Sequence, residues 1–526
     1  MNIRRRVDPV RGVAGLATLV FFASLVTVSA HSVFGPTANV DQGVSTRLGT
    51  GSNAGPALGG PGPTDVSGLA ASTSGPSGSS AGAATGGVGT GGGVGPGGGG
   101  GSGATSPASS GTGSAASPTA PIGPSGVSAT AIQIGIEVAK DINAETAAVG
   151  ASTKDPAEAD IARVLIDWVN AHGGMAGRKV NLLLHQTDQT QGTWAAQAQA
   201  VCSDFTEDHH VFAAINSSVG GDDSLAACFA QHSTPLIAQN FWPYDQSEYT
   251  KFGGLLYQPA AAVPERFTAS YIDGLVAQHF FDGAKVGLIG FDQAVFRRME
   301  ATMTQRLAQH GIPVADQELT LTPGSVADFG AMGAQMGNAM LSFRAKGVDH
   351  VLFAEYAGEL PFFFTSAANG QNYFPKYAFD TLDRAETQEA LDKPATLKGS
   401  MAVGWSPVED MSYKNDHRGG NAALCLQILH QGGINGFAPG GFRLYGDIAC
   451  NSVFFLKAAL DRAASLTPAG LAAAVVQLGT SYDSTYSWAT SFGSGRHDGA
   501  SIMRASKWVD ACTCYAPVVG SDMPIG

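Results

Sequence analysis

Apolar positions along the chain recur with two periods that take turns. Residues 132–138 form a β-branched run that predicts a strand buried on both faces. A helix follows, in which Ile161, Val164, Leu165, Trp168 and Val169 make an i, i+3, i+4, i+7, i+8 stripe. Asp155 is placed to cap it, Pro156 suits the first helical position, Glu158 completes a capping box, and Gly173-Gly174 ends the helix. The alternation continues through strand 179–187, helix 195–204, strand 211–216, helix 223–232 and strand 235–239. Strands and helices in this order build a parallel α/β sheet.

After 255–259 a second series begins, with helix 264–281, strand 285–291, helix 295–310, strand 314–321, helix 327–346 and strands 350–354 and 377–379. The stretch 398–405 leads into helices near 421–430, 447–464 and 468–478, with no strand among them long enough to start a third sheet. These helices are expected to return and cover the first sheet. The fold class is therefore α/β, with two doubly wound, Rossmann-like lobes joined by a hinge. The first lobe takes about 129–255 and 405–480, the second about 260–400 with part of the C-terminal segment. Ligands of such sheets sit beyond the carboxyl ends of the strands.

The first 128 residues read differently. Arg4, Arg5, Arg6 and Arg11 precede an apolar stretch at 13–28, and Val28-Ser29-Ala30 supplies the small residues a signal peptidase needs. Residues 1–30 are thus a signal peptide, or an uncleaved anchor, because the stretch nearly reaches the ~20 residues that span a bilayer. From 31 to 128 the chain is Gly, Ser, Ala, Thr and Pro without periodicity. Such a segment buries too little to offset its ordering entropy and is expected to be a disordered linker, with an r.m.s. span of roughly 50–60 Å. Its GxGxxG-like spellings lack the strand and helix that a dinucleotide fingerprint requires.

The remainder, 44% hydrophobic and 14% charged over the whole chain, suits a soluble protein with substantial cores. Net charge is −13, and removing residues 1–30, which carry +3, leaves −16. That sign disfavours nucleic-acid partners, which need a basic field. All six cysteines follow residue 200 in a chain that leaves the cytoplasm, so disulfides are expected. Cys202 and Cys228 flank one helix–strand–helix unit and are the first pair; Cys425, Cys450, Cys512 and Cys514 leave three pairings. Zinc is the alternative for Cys512-Thr513-Cys514 and His209-His210, but no second CxxC or HxxxH spacing completes a tetrahedral set. No GxSxG elbow, HExxH or P-loop lysine marks an enzyme, and neither cofactor nor metal is expected.

One run is more specific. Residues 161–182, with Asn170-Ala-His-Gly-Gly-Met-Ala-Gly-Arg-Lys-Val ahead of a strand that leads to Asp188, resemble the first helix and second strand of the type I periplasmic binding proteins of the leucine/isoleucine/valine family. The unit Tyr445-Gly-Asp-Ile-Ala-Cys-Asn-Ser-Val-Phe-Phe-Leu is similar to a late first-lobe helix of that family, and a disulfide spaced like Cys202 and Cys228 recurs there. The resemblance covers about residues 130–515. It implies an extracytoplasmic receptor that captures a small amino-acid-like or other organic solute, closes by hinge motion and delivers it to the permease subunits of an ABC importer.

In family members that bind amino acids, hydroxyls and amides of the loops after the third and fourth strands hold the ligand. Here the first loop, Asn216-Ser217-Ser218-Val219-Gly220, matches. The second, Gln239-Asn240-Phe241-Trp242, replaces hydroxyls by an amide and rings, which suits a flatter or more apolar solute. The resemblance therefore implies ligand contacts from Ser217, Ser218, Asn240 and Phe241 in the first lobe, and from Asp292, Glu355, Tyr356 and Asp380 at strand ends of the second. Two other classes stay open: a tethered sensor or surface-interaction protein on the same fold, and a secreted enzyme of unfamiliar design.

Overall fold

The apolar run at the head of the core forms β1, Ala131–Ala139, buried along its whole length in this computed structural model. The structure describes residues 125–148, 150, 154–239, 242–435 and 444–526, all within the unit Ser110–Gly526. The signal, anchor and most of the linker expected for 1–128 lie outside the described residues. β1 pairs in parallel with β2, Lys179–Thr187, and with β3, Ala213–Asn216. The sheet continues through β4, Leu236–Ala238, and β5, Leu256–Tyr257, in the order β2-β1-β3-β4-β5.

Helices Trp194–Ser203 and Ser224–Gln231 follow β2 and β3 and are tied together by the Cys202–Cys228 disulfide. Helix Glu158–Ala171 packs with Leu444–Leu460 and Gly420–Gln431, so the late helices return to the first sheet. A second disulfide, Cys425–Cys450, joins two of them, and Pro468–Leu478 completes that layer.

The second sheet is built on β6, Val286–Phe291; β7, Val314–Thr320; β8, His350–Ala354; β9, Lys376–Phe379; and β10, Met401–Gly404, all parallel. Three elements absent from the sequence reading complete it. The strands β11, Ile502–Val509, and β12, Cys514–Pro517, form an antiparallel hairpin on β10, and the short β13, Met523–Pro524, pairs β11. Cys512 and Cys514 are bonded to each other in the turn of that hairpin, so they are not open to a metal. Helices Glu359–Gly370 and Ala385–Leu391 follow β8 and β9.

The chain passes between the sheets at 257–264, 404–420 and 478–502, and the three passages are bonded to one another. Trp405 Nε1 donates to Ala260 O at 2.9 Å, the Gln258 amide to His497 O at 3.1 Å and the Val263 amide to Asp498 Oδ2 at 3.0 Å, while Asp498 also pairs with Arg266. Such a strap of three adjoining segments is where a hinge between the lobes would act.

Candidate functional site

The expected capping box does not form, and its failure helps to make the site. Ala157, not Asp155, stands at the N-cap of helix Glu158–Ala171, without a side-chain cap. Glu158 instead turns inward, almost fully buried, and accepts from the Ala139 amide at 3.2 Å, closing the end of β1. That carboxylate is better placed to satisfy a strand end than its own helix.

Beside it, Glu137 of β1 is fully buried and organises the loop after β3. Its Oε2 accepts the amides of Ser217, Ser218 and Val219 at 3.0, 3.0 and 3.3 Å, and the Ser218 hydroxyl donates to Oε1. Asn216 Nδ2 donates to Val219 O at 2.7 Å, fixing the same turn from within. In the second lobe Glu355 plays a related part. It accepts from the amides of Gly358 and Glu359 at 2.9 and 3.0 Å and so starts helix Glu359–Gly370, whose N-cap Gly358 has φ +74°, a conformation open to glycine.

Between these two loops lies a cavity of about 220 Å³. Apart from Tyr445 of helix Leu444–Leu460, its lining comes from beyond the carboxyl ends of strands, the position expected of a ligand site in α/β sheets. From the first lobe come Glu145 after β1, Gln189 and Trp194 after β2, Ser217, Ser218 and Gly220 after β3, and Trp242 after β4. Glu158 and Tyr445 also line it. From the second come Phe329 after β7, Tyr356, Glu359, Phe362 and Phe363 after β8, and Arg384 after β9. The lobes touch around it: Trp242 meets Tyr356 edge-on at 5.4 Å, Trp194 lies 6.2 Å from Phe329, and the Trp194 amide donates to Gly324 O at 2.9 Å. The arrangement is a closed one.

The electrostatics of the cavity are acidic. Burial pushes the Glu145 carboxyl up to about 8, helped by the nearby charges of Glu158, Glu137 and Asp188. Burial likewise carries Glu158 to about 7, against the hydrogen bond of Ser217, and Glu359 to about 8, against the attraction of Arg384. Arg384 is buried too; burial opposes its charge, but Glu409, 3.4 Å away, more than offsets this. Its Nη1 donates to Ala357 O at 3.3 Å.

Of the residues expected from the sequence, Ser217, Ser218 and Tyr356 come together on this cavity, from opposite lobes. Asp292, Glu355 and Asp380 are not among its lining residues. Asp292 is 46% exposed and bonded to Arg297 Nε at 2.6 Å, Glu355 is the helix-starting group described above, and Asp380 is buried and accepts from the Leu382 amide at 2.7 Å. Asn240 and Phe241 lie outside the described residues. Glu137, Glu145, Trp194, Glu359, Phe362 and Arg384 were not anticipated. A carboxylate near the carboxyl end of an otherwise apolar strand is the signal that would have found Glu137.

The model of the family described as periplasmic binding protein matches residues 145–512. No curated protein matches the chain. Among solved structures, a substrate-binding protein of an ABC transporter from Aeropyrum pernix is similar at 14% identity and TM-score 0.57, over 76% of this chain and 97% of that one. A solute-binding protein from R. palustris, in complex with 4-hydroxybenzoate, is similar at 15% identity and TM-score 0.55, over 75% and 97%. A possible leucine/isoleucine/valine-binding protein from Rhodopirellula baltica is similar at 14% and 0.50, over 76% and 97%. These structures share its fold, the type I fold of two α/β lobes, and with a family match over most of its length the chain belongs to the periplasmic binding proteins.

Proposed function

We propose that the chain is the extracytoplasmic solute-binding receptor of an ABC-type importer, capturing a small amino-acid-like or other organic solute and presenting it to the permease subunits. The observation that carries this reading is the cavity itself, walled chiefly by strand ends of both lobes. A ligand that touches Ser217 and Ser218 on one side and Tyr356 on the other has contacts in the closed form that an open form loses. Only such a difference in affinity can drive closure. Capture at micromolar concentration corresponds to about −8 kcal/mol, which a closed aromatic cleft with a few polar anchors can supply. Among the described residues no helix is long and apolar enough to cross a membrane.

The test is uptake. Cells lacking this chain should lose high-affinity uptake of one solute, and regain it with the native chain but not with a Tyr356→Ala, Ser218→Ala double variant of normal abundance. Unchanged uptake of every solute across a broad panel would overturn the importer role.

A further inference from the structure

The chemistry of the cavity narrows the solute, on the reading that this cavity captures one. Backbone amides of a loop that lines the cavity are the donors a ligand carboxylate would use. Here the amides of Ser217, Ser218 and Val219 are already taken by the Glu137 carboxylate, at 3.0 to 3.3 Å. The protein has in effect filled that subsite with an anion of its own.

The carboxyl groups around the cavity point the same way. Glu145 and Glu158 from the first lobe and Glu359 from the second line it, with Glu137 directly behind Ser217 and Ser218. Arg384 is the one lysine or arginine among the lining residues, and its charge is met by the buried Glu409. A ligand carboxylate would enter beside three carboxyl groups with no cation left to receive it. An ammonium would meet the opposite situation.

Much of the rest of the wall is aromatic, with Trp194, Trp242, Phe329, Tyr356, Phe362 and Phe363 drawn from both lobes. Ring faces attract cations as well as apolar bodies. Two hydroxyls on the wall, Tyr356 OH and Thr387 Oγ1, belong to side chains more than nine-tenths buried and have no hydrogen-bond partner among the described residues. Each is able to accept from an N–H donor.

We propose that the solute is an organic amine without a carboxylate, bound as its cation, with the ammonium held by Glu145, Glu158 and Glu359 and a ring-shaped apolar body against the aromatic wall. The recognition is by charge sign and ring shape together, so removing either from the ligand removes affinity.

A matched set of ligands tests this on the full chain. Phenethylamine is phenylalanine without its carboxylate, and 3-phenylpropionate is phenylalanine without its ammonium. Calorimetric titration at pH 8.5, repeated with the ring-bearing amines tyramine and cyclohexylethylamine and their acid counterparts, should show the amines binding at least tenfold more tightly than the amino acids, and the acids not at all. Glu359→Gln and Glu158→Gln should each weaken amine binding at least tenfold in a protein with an unchanged circular dichroism spectrum. Acids or amino acids binding as well as the amines would overturn the inference while leaving solute capture intact. No binding by any amine of the set would overturn it as well, and the fate of solute capture is then read separately from a broad screen. Amine binding untouched by both glutamine variants would also contradict it, by placing the ammonium elsewhere.

Discussion

Glutamine in place of Glu359 isolates the effect of burying a carboxyl group in the wall of the cleft. Glu359 opens helix Glu359–Gly370, where the helix N-terminus favours negative charge, and Arg384 attracts it. Burial nevertheless wins and lifts its pKa to about 8. In the unfolded chain a glutamate titrates near its ordinary value of about 4.3. Between those two values the folded protein holds a proton that the unfolded chain has lost, so stability from this group is full below the unfolded pKa and drains away as pH rises toward 8. The slope is at most about 1.4 kcal/mol per pH unit for one proton, and about 5 kcal/mol over the whole interval is its ceiling. The amide introduced by Glu359→Gln would keep the shape of the protonated acid and have no proton to lose. Denaturant unfolding of the native chain and Glu359→Gln at pH 5, 6, 7 and 8 should therefore give curves that diverge as pH rises, with the variant the more stable at pH 8. Parallel curves, or a variant less stable at pH 8 than at pH 5 relative to native, would refute the reasoning.

Other consequences are sharper at single sites. Glu137→Ala leaves three loop amides without their acceptor, at about 1–3 kcal/mol for each buried orphan; it should destabilise the chain by about 3 kcal/mol or more and abolish solute binding, as denaturant and calorimetric titrations would read, whereas Glu137→Gln keeps an acceptor and most of the stability. Tyr356→Phe should change stability by less than about 1 kcal/mol, because the hydroxyl has no partner among the described residues, but Tyr356→Ala should cost about 3–5 kcal/mol through lost packing on Trp242, Phe291 and Phe296. Replacing Cys425 and Cys450 by serine frees a loop closed across a sequence separation of 25 and should lower unfolding free energy by roughly 3.5 kcal/mol in a chain-entropy account, measured under conditions that leave Cys202–Cys228 oxidised.

The elements legible in the sequence were those whose apolar period was uninterrupted. Strand Lys179–Thr187, strand His350–Ala354 and helix Pro468–Leu478 begin and end where their patterns do. Helix Glu359–Gly370 hid behind Pro361 and the Phe362-Phe363-Phe364 run, which carries no polar face to mark a period, and its start depends on Glu355, a residue outside the helix. The β11–β12 hairpin escaped because Lys507 and Arg504 interrupt its apolar positions. The site was legible only in part for a related reason. Ser217 and Ser218 stand in a loop whose spelling matches a pattern, while Trp194, Glu145 and Glu359 reach the cavity through the packing of strand ends that are far apart in sequence. Glu158 shows how a local rule yields to a tertiary one: its spacing from Asp155 suits a capping box, yet the buried carboxyl end of β1 claims the carboxylate.

Capture of one class of small solute by the cleft between the two sheets is tested by thermal unfolding of the full chain against amines, amino acids, amides, aromatic acids, sugars and short peptides. A solute that binds only the folded protein stabilises it by about 2.7 kcal/mol at a hundred times its dissociation constant. A saturable rise in the unfolding temperature is expected with a single chemical class, diminished by Tyr356→Phe and Glu359→Gln. A folded protein whose unfolding temperature no member of the panel moves would contradict it.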